Sequence, residues 1–308
     1  MEFKEIDYDY FGKCLELKNN KCSMLIMIEK GPRIISFKLL GKENIMCEDK
    51  SEQTVMTGGK FAQMFGDDKW FIYGGHRLWV SPEHDPKSYY PDNKNVSYVI
   101  EGNTVTLTPP PQVETDMQFS MIIEFSEADA KASVTHRIQN IGKSDMTISP
   151  WAMTVVDKNA VSIMPQSEKQ TGLLSNRNFT VWPYTDLTDN RLYIGNKYLT
   201  LCQVPGAETN IKIGFNDDKG WLASLNKGQL FIKRFPFFEG ADYPDNNCNC
   251  EVFTNFFMME IESLGELKTI KPSETVTHVE NWELVSCDDT FDRRDDKSID
   301  KFVKKYIG

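Results

Sequence analysis

Apolar and polar residues alternate over short stretches along most of the chain, which is the pattern of β-strands with one buried face. In residues 132–139, for example, every second position is apolar or His136, and the positions between them are Ser, Thr, Arg and Gln. Turn signals separate the runs, among them Gly31-Pro32 and Glu101-Gly102-Asn103, and both predict hairpins. The runs cover residues 23–29, 33–40, 96–100, 104–108, 118–125, 132–140, 211–215, 220–226, 229–235, 250–264 and 274–285.

Helical periodicity is clear only at the C-terminus, in SIDKFVKKYIG. Ser298 has the residue type of an N-cap, and the apolar stripe that follows is Ile299, Phe302, Val303 and Tyr306. Many short strands with almost no helix predict an all-β sandwich of roughly fifteen or more strands. The C-terminal helix is expected to cover a sheet. No low-complexity linker divides the chain, so residues 1–308 are interpreted as a single domain.

The composition narrows the partners that we expect. The chain has 308 residues and a formal net charge of −10, which opposes binding to phosphate backbones and to anionic membranes. The seven cysteines are an odd number without a disulfide-like spacing, and the N-terminus lacks an apolar signal region. The longest notable apolar run, MLIMI, is too short to span a bilayer. We therefore expect a cytoplasmic protein that binds neither nucleic acid nor membrane.

The segment FIYGGHRLWVSPE concentrates residues that suit ligand chemistry. Gly74-Gly75 permits a turn where side chains would clash, so His76 and Arg77 are expected to reach one ligand from one point. Imidazole offers a proton switch near neutral pH, and guanidinium offers a fixed fork of donors. Trp79 offers an apolar face for a sugar ring, and Glu83 adds an acid. In the structural alternative, Trp79 lies in the core and Arg77 pairs with a surface carboxylate.

A second segment, FPFFEGADYPDNNCNCEVFTNFF, places carboxylates among aromatic residues. Strand alternation puts Glu251, Phe253 and Asn255 on one face. A carboxylate beside aromatic rings is partly desolvated, so we expect a raised pKa and the properties of a general base. The alternative is an edge strand on which Glu251 faces water. Two carboxylates of this segment, Glu239 and Glu251, also raise the possibility of glycoside cleavage.

Neither zinc nor a cofactor is favoured by the motifs. Cys248 and Cys250 could point the same way on a strand, but no second Cys or His pair completes a zinc site with His76, Glu83 and His84. A calcium site at Asp242, Asp245, Asn246 and Asn249 stays open, although the spacing is not that of a known calcium loop. The chain has no dinucleotide fingerprint, phosphate-binding loop or nucleophile elbow, so no cofactor is expected.

Further aromatic residues are interleaved with polar ones around Trp151, Trp182 and Tyr184. Carbohydrates present C–H groups on their faces and hydroxyls at their edges, so this mixture favours a small-molecule carbohydrate as the ligand. Trp151 is interpreted either as a core residue or as a stacking platform. His136 lies on the apolar face of its strand and is expected to be a core histidine.

Three stretches, GGHRLWVSPE, HRIQNIGKSDMTISPWAMTVV and NCNCEVFTNFFMMEIESLG, resemble the galactose-mutarotase-like superfamily in their order along the chain. The resemblance covers the chain from about Met24 to Leu284, and the GGHRLW block is similar to an aldose-epimerase-like branch. It implies a β-supersandwich with a concave sugar-binding face. It also implies that a glutamate base and a histidine acid open the sugar ring and interconvert the anomers.

Carried over by position, the resemblance gives the base role to Glu251 and sugar binding to His76 and Arg77. The family's acid histidine corresponds to Pro150-Trp151, and no histidine lies within ten residues of Trp151. His76 is therefore the expected acid of an aldose 1-epimerase-like isomerase. The alternative is a non-catalytic carbohydrate-binding or sensing protein. The residues expected to contact the sugar are Arg77, Trp79, Glu83, Trp151, Glu239 and Asn249.

Overall fold

The computed structural model of the protein describes residues 1–308 and contains 23 β-strands and three short α-helices. The strands of the first half are β1 (Glu2–Asp7), β2 (Lys13–Lys18), β3 (Cys22–Met27), β4 (Arg33–Leu39), β5 (Val55–Met56), β6 (Trp70–Phe71), β7 (Gly75–Ser81), β8 (Ser97–Glu101), β9 (Thr104–Thr108), β10 (Met117–Phe125), β11 (Lys131–Asn140) and β12 (Met146–Val156). The second half contributes β13 (Val161–Pro165), β14 (Phe179–Val181), β15 (Leu192–Ile194), β16 (Tyr198–Cys202), β17 (Ile211–Phe215), β18 (Trp221–Asn226), β19 (Gln229–Arg234), β20 (Cys250–Thr254), β21 (Met259–Leu264), β22 (Lys268–Ile270) and β23 (Thr275–Ser286). The helices are α1 (Gly59–Phe65), α2 (Pro244–Asn247) and α3 (Asp296–Tyr306).

Two large antiparallel sheets form the framework. The first sheet has 11 strands in the order β1-β2-β3-β4-β7-β12-β21-β20-β17-β14, with β22 paired to β12. The second has 10 strands in the order β15-β16-β13-β18-β19-β23-β11-β10-β9-β8. The main core contains 37 buried apolar residues contributed by both sheets, so the sheets pack face to face. The expected all-β sandwich is confirmed.

Most of the strands predicted from alternation are present. β3 and β4 form the hairpin at Gly31-Pro32, and β8 and β9 form the one at Gly102. His136 is a buried core residue, as expected. The long run at 250–264 is not one strand, because the backbone turns after Thr254 and β20 pairs with β21 as a hairpin. Asn255 stabilises this turn by accepting hydrogen bonds from the backbone N–H groups of Phe257 and Met258, each 3.0 Å long.

Helix α3 covers the outer face of the second sheet, as its apolar stripe predicts. Ile299, Phe302 and Val303 are buried against residues of β13, β18 and β19. The prediction that Ser298 is the N-cap is wrong. The cap is Asp295, whose carboxylate accepts hydrogen bonds from the backbone N–H groups of Lys297 and Ser298, each at 3.2 Å. None of the three helices has the length and apolar character of a membrane span.

The Gly74-Gly75 pair is required by close contact between backbones. Both residues have positive φ, +93° and +65°. A Cβ atom on Gly74 would lie 2.1 Å from the Cys47 carbonyl oxygen, and one on Gly75 would lie 2.4 Å from the Ile34 carbonyl oxygen. The pair therefore allows β7 to enter the first sheet against β4, where a side chain would not fit.

Replacing Gly75 by alanine should lower the free energy of unfolding by more than about 2 kcal/mol, because positive φ and a backbone clash act together. Gly102→Ala is a matched control, since Gly102 also has positive φ (+61°) but nothing lies within 4 Å of its added Cβ. Urea denaturation of both variants measures the difference. Equal losses would show that conformational strain alone, and not the contact with Ile34, requires glycine.

Candidate functional site

Five neighbouring strands of the first sheet align one residue each in a row across its outer face, and three of the five are charged. Strand register aligns Arg77 with Met153, and Met153 with Glu262 on β21. Glu262 in turn lies opposite Glu251 of β20, which lies opposite Gly214 of β17. Because side chains alternate along a strand, these residues all point away from the core between the sheets. The predicted face of Glu251 is confirmed by this register.

An aromatic cavity of about 490 Å³ opens on this outer face. Its size is within the usual range of small-molecule sites. Its wall also includes residues of β5, β6 and the loop that follows β7. The lining residues are Thr54, Met56, Trp70, Ile72, Trp79, Glu83, Tyr89, Trp151, Met153, Trp182, Tyr184, Asn210, Lys212, Phe253, Asn255, Met258 and Glu260. We call it the outer-face cavity.

Lys212 is the central cation of this cavity. Its Nζ atom lies 2.8 Å from the Glu251 carboxylate and 3.2 Å from that of Glu262. The same atom lies 4.6 Å and 4.7 Å from the ring centres of Trp151 and Trp182. The Trp151 indole N–H donates a 2.6 Å hydrogen bond to Glu262. The amine is therefore fixed by two carboxylates and two aromatic rings.

Burial dominates the ionisation of these carboxyl groups. It raises the pKa of Glu251 well above its usual value, with Lys212 opposing the shift and Glu262 adding to it. Burial and the charge of Glu262 raise the pKa of Glu260 to about 8. Burial alone would lower the pKa of Lys212, but Glu262 and Glu251 outweigh it and raise this pKa well above its usual value. A protonated carboxyl group and an ammonium group thus coexist here at neutral pH.

Stacked tryptophans form one wall of the cavity. Trp79 lies between Trp70 and Trp151, with ring centres 5.7 Å and 5.0 Å away and nearly parallel planes. The Trp79 indole N–H is hydrogen-bonded to the Ser88 carbonyl, which fixes the ring. Trp79 and Trp151 are both core-like in burial and part of the cavity wall, so the two interpretations of these residues are not exclusive.

The structure does not bring His76 and Arg77 to one point. The glycine turn is present, but the two residues are consecutive in β7, so their side chains point to opposite faces of the sheet. His76 is fully buried between the sheets, where its Nε2 atom lies 2.7 Å from Nε2 of His136. The expectation that both side chains reach a common ligand is therefore wrong, and His76 is not among the residues that line the outer-face cavity.

Three of the predicted sugar contacts, Arg77, Glu239 and Asn249, do not line the cavity. Glu239 is an exposed loop residue paired with Lys169 at 3.1 Å. Asn249 is buried, and its side chain exchanges two hydrogen bonds with the backbone of Asp217, at 2.6 Å and 2.9 Å. Glu83 lines the cavity and accepts a hydrogen bond from the Tyr89 hydroxyl. A glycoside-cleaving pair of Glu239 and Glu251 is not supported, because the two lie in unrelated environments.

One group of side chains has the spacing of metal ligands, and it lies in the interior. The ligand atoms of His76, His136 and Glu280 lie within 4.8 Å of one another. However, the Lys233 amine is 2.7 Å from Glu280, and a neighbouring ammonium opposes a metal cation. Cys248 and Cys250 are free buried thiols and belong to no such group.

Sequence reasoning missed Lys212, Glu260 and Glu262. The signal for all three was present in the alternation of the strands. Lys212 lies between Ile211 and Ile213 in β17, and the two glutamates alternate with apolar or small residues in β21. A charged residue at every second position of an otherwise apolar strand indicates a polar outer face, here shared with Glu251.

Comparison with solved structures identifies the fold. A candidate aldose 1-epimerase from Klebsiella pneumoniae matches 96% of this chain and 84% of its own, with a TM-score of 0.57 and 11% sequence identity. A candidate aldose 1-epimerase from Escherichia coli K12 matches 88% of this chain and 98% of its own, at a TM-score of 0.53 and 11% identity. A candidate mutarotase from Salmonella typhimurium matches 89% and 90%, at a TM-score of 0.53 and 7% identity.

No protein-family model matches the sequence, and no curated protein sequence matches it either. The three structural matches cover 88%, 89% and 96% of this chain. The chain therefore has the galactose-mutarotase-like fold, as the sequence motifs implied.

Proposed function

We propose that the outer-face cavity binds a carbohydrate and interconverts its anomers, as an aldose 1-epimerase-like isomerase does. The observation that carries this proposal is the position of a carboxyl group, Glu260, in a cavity walled by tryptophans. Aromatic faces suit the C–H faces of a sugar, while Asn210, Lys212 and Glu260 offer polar atoms to its hydroxyls. Solved structures with this fold include candidate aldose 1-epimerases, which agrees with the proposed reaction.

The carboxyl groups supply an acid and a base without a histidine. Three glutamates, Glu251, Glu260 and Glu262, act on the charge of a single cation of the cavity, Lys212, so negative charge is in excess there. Lys212 lies 2.8 Å from Glu251 and opposes the rise of its pKa that burial causes. Glu260 forms no ion pair, and its pKa of about 8 keeps it mostly protonated at neutral pH. Glu260 is thus suited to donate a proton, and Glu251 to accept one.

In the proposed reaction, Glu251 accepts the proton of the anomeric hydroxyl while Glu260 donates its proton to the ring oxygen. The bond between the anomeric carbon and the ring oxygen breaks, and the open-chain aldehyde forms. Rotation about the neighbouring carbon–carbon bond presents the other face of the aldehyde. The ring then closes as both protons return. Glu251 is buried and does not itself line the cavity, but lies 2.8 Å from Lys212, which does, so the sugar hydroxyl must displace this amine to reach the base.

The proposed roles are tested by measuring anomer exchange by NMR across simple aldoses and uronates. Glu260→Gln should lower the exchange rate by about 10²- to 10⁴-fold, the usual contribution of one general acid. Sugar affinity should change much less, because the amide retains the shape of the carboxyl group. Glu239→Gln is the control, since this exposed glutamate lies outside the cavity. An unchanged rate in Glu260→Gln would rule out the acid role.

The second candidate function is carbohydrate binding without turnover. It is favoured by one observation, namely that no histidine lines the outer-face cavity. His76, His136 and His278 are buried elsewhere, and His84 is exposed on a loop. In this case the wild type should broaden the NMR lines of a sugar without accelerating anomer exchange.

A further inference from the structure

A second cavity shares Trp70 and Trp79 with the outer-face cavity but is much narrower. The space within it is about 40 Å³, enough for two or three water molecules or for one carboxylate. It is lined by residues 77–80 of β7 and by Gly31-Pro32, next to the β4–β7 ladder, whose register contains the one pair Ile34↔His76. The loop around Tyr90 and the stretch Pro109–Gln112 close it. We call it the Arg77 cavity, because Arg77 lines this cavity and not the larger one.

Arg77 is a buried cation without a matching anion. Only 4% of the residue is exposed, yet its Nε and Nη2 atoms have no hydrogen-bond partner. The arginines that form ion pairs are Arg33, Arg191 and Arg234. The guanidinium carbon of Arg77 lies 4.5 Å and 4.2 Å from the ring centres of Trp70 and Trp79. These rings hold the guanidinium in place but give its N–H groups no acceptor.

The one acidic residue of the cavity lining is already neutralised. Asp92 lines the cavity, but both of its oxygens are bound by the guanidinium of Arg33. Lys94 adds another positive charge to the lining. Burial and the charge of Arg33 lower the pKa of Arg77 to about 9. A buried, unpaired charge is costly unless a bound group compensates it.

We propose that the Arg77 cavity is an oxyanion subsite, in which the guanidinium fork of Arg77 binds a carboxylate or phosphate group. The free Nε and Nη2 atoms lie on one side of the planar guanidinium group and suit a bidentate oxyanion. The volume admits the anionic group but not a sugar ring. The positive lining contrasts with the net charge of −10 of the whole chain, so it is a local feature.

The oxyanion has two possible sources, a free ion or the acidic group of a sugar bound in the outer-face cavity. The two cavities adjoin at Trp70 and Trp79, so an acidic sugar could occupy both. The subsite itself does not depend on the proposed isomerase activity, because its evidence is Arg77 and not the carboxyl groups around Lys212.

Titrations with acetate, inorganic phosphate, glucuronate and glucose test the subsite, with chloride holding the ionic strength constant. Tryptophan fluorescence reports binding, since two tryptophans contact Arg77. Arg77→Gln should weaken the binding of the anions by about 10- to 100-fold, the usual loss of a charge-assisted bidentate pair. Arg137→Gln removes an exposed arginine and is the matched control. Arg77→Lys keeps the charge without the fork and should also weaken binding, which keeps the test valid if Arg77→Gln does not fold.

Each result of these titrations either supports or overturns the oxyanion subsite. Glucuronate binding more tightly than acetate, together with glucose binding, supports an acidic sugar that spans both cavities. Acetate or phosphate binding as tightly as glucuronate, without glucose binding, supports a subsite for a free ion and counts against the proposed sugar function. Absence of saturable anion binding, or equal binding in wild type and both Arg77 variants, overturns the subsite.

Discussion

The Lys212→Met variant should unfold with a free energy about 3–5 kcal/mol below that of the wild type at neutral pH. Removing one partner of a buried ion pair leaves the other charge uncompensated, and this loss is typical of such a change. Here two carboxylates, Glu251 and Glu262, lose their cation at once. Because proteins of this size are stable by only about 5–15 kcal/mol, the variant should be close to its limit of stability. Urea denaturation at pH 7.5 measures the loss.

The loss in Lys212→Met should shrink as the pH falls. The pKa of Glu251 is already raised above its unfolded value near 4.5. Without Lys212 it rises further. Between the folded pKa of Glu251 in the wild type and its higher folded pKa in the variant, only the native variant binds the extra proton, so acid stabilises the variant relative to the wild type in that range. An equal loss at pH 5 and pH 7.5 would instead indicate lost packing against Trp151 and Trp182.

Two further variants separate charge from packing. Lys268→Met removes an exposed lysine that pairs with Glu266 and should change the free energy of unfolding by less than about 1 kcal/mol. The double variant Lys212→Met, Glu251→Gln should recover part of the stability that the single change loses, because one of the uncompensated carboxylates is then absent.

Local patterns predicted much of the fold because its strands are joined largely by short turns. The hairpins at Gly31-Pro32 and Gly102 and the stripe of α3 follow from neighbouring residues alone. The break between β20 and β21 did not follow, because it contains no glycine or proline and depends on the Asn255 side chain. The N-cap of α3 was missed because Ser298 and Asp295 have equally suitable residue types.

The candidate site was only partly predictable. Strand alternation predicted the face of Glu251 correctly. The same rule places the side chains of His76 and Arg77 on opposite faces of β7. The Gly74-Gly75 turn was instead interpreted as a point from which both side chains reach one ligand. The Arg77 cavity could not be read from the sequence. It forms where the loop around Tyr90 and the stretch Pro109–Gln112 meet β7, and contacts between such distant segments leave no local pattern.

His76 and His136 belong to a buried hydrogen-bond network that requires His136 to be neutral. Lys233 donates to the Thr154 hydroxyl oxygen at 3.0 Å, and this hydroxyl lies 2.8 Å from Nδ1 of His76. Nε2 of His76 lies 2.7 Å from Nε2 of His136, whose Nδ1 lies 3.2 Å from the His278 carbonyl oxygen. One arrangement of protons satisfies every contact, with a single proton on the His76 ring, at Nε2, and a single proton on the His136 ring, at Nδ1. A second proton on His136, at Nε2, would place two N–H groups against each other.

This network should make the His136 side chain a source of acid instability. Burial and the charge of Lys233 lower the pKa of His136 to about 3, against 6.5 in the unfolded chain. Between these values the unfolded chain holds the extra proton, so the contribution of His136 to stability is complete above pH 6.5 and is lost as the pH falls. The slope is about 1.4 kcal/mol per pH unit for one proton.

The expected pH effect is a change in the difference between the free energies of unfolding of the wild type and His136→Gln. The pH dependence of either protein alone is not sufficient, because other buried groups titrate in the opposite direction. Burial raises the pKa of Asp217 to about 7 and that of Glu260 to about 8, so acid stabilises the fold through both. His136→Gln retains these groups. Its free energy of unfolding should therefore lie below that of the wild type at pH 7, and the gap should narrow by about 1.4 kcal/mol per pH unit between pH 6 and 4.

His84→Gln is the control for this experiment, since His84 is exposed and should leave the pH dependence unchanged. The ionisable residues that face His136 are His76, His278, Lys233 and Glu280, and all four remain in His136→Gln. A gap that stays constant from pH 6 to pH 4 would mean that His136 does not resist protonation. The network would then tolerate a charged imidazole, and the neutral arrangement of its protons would be incorrect.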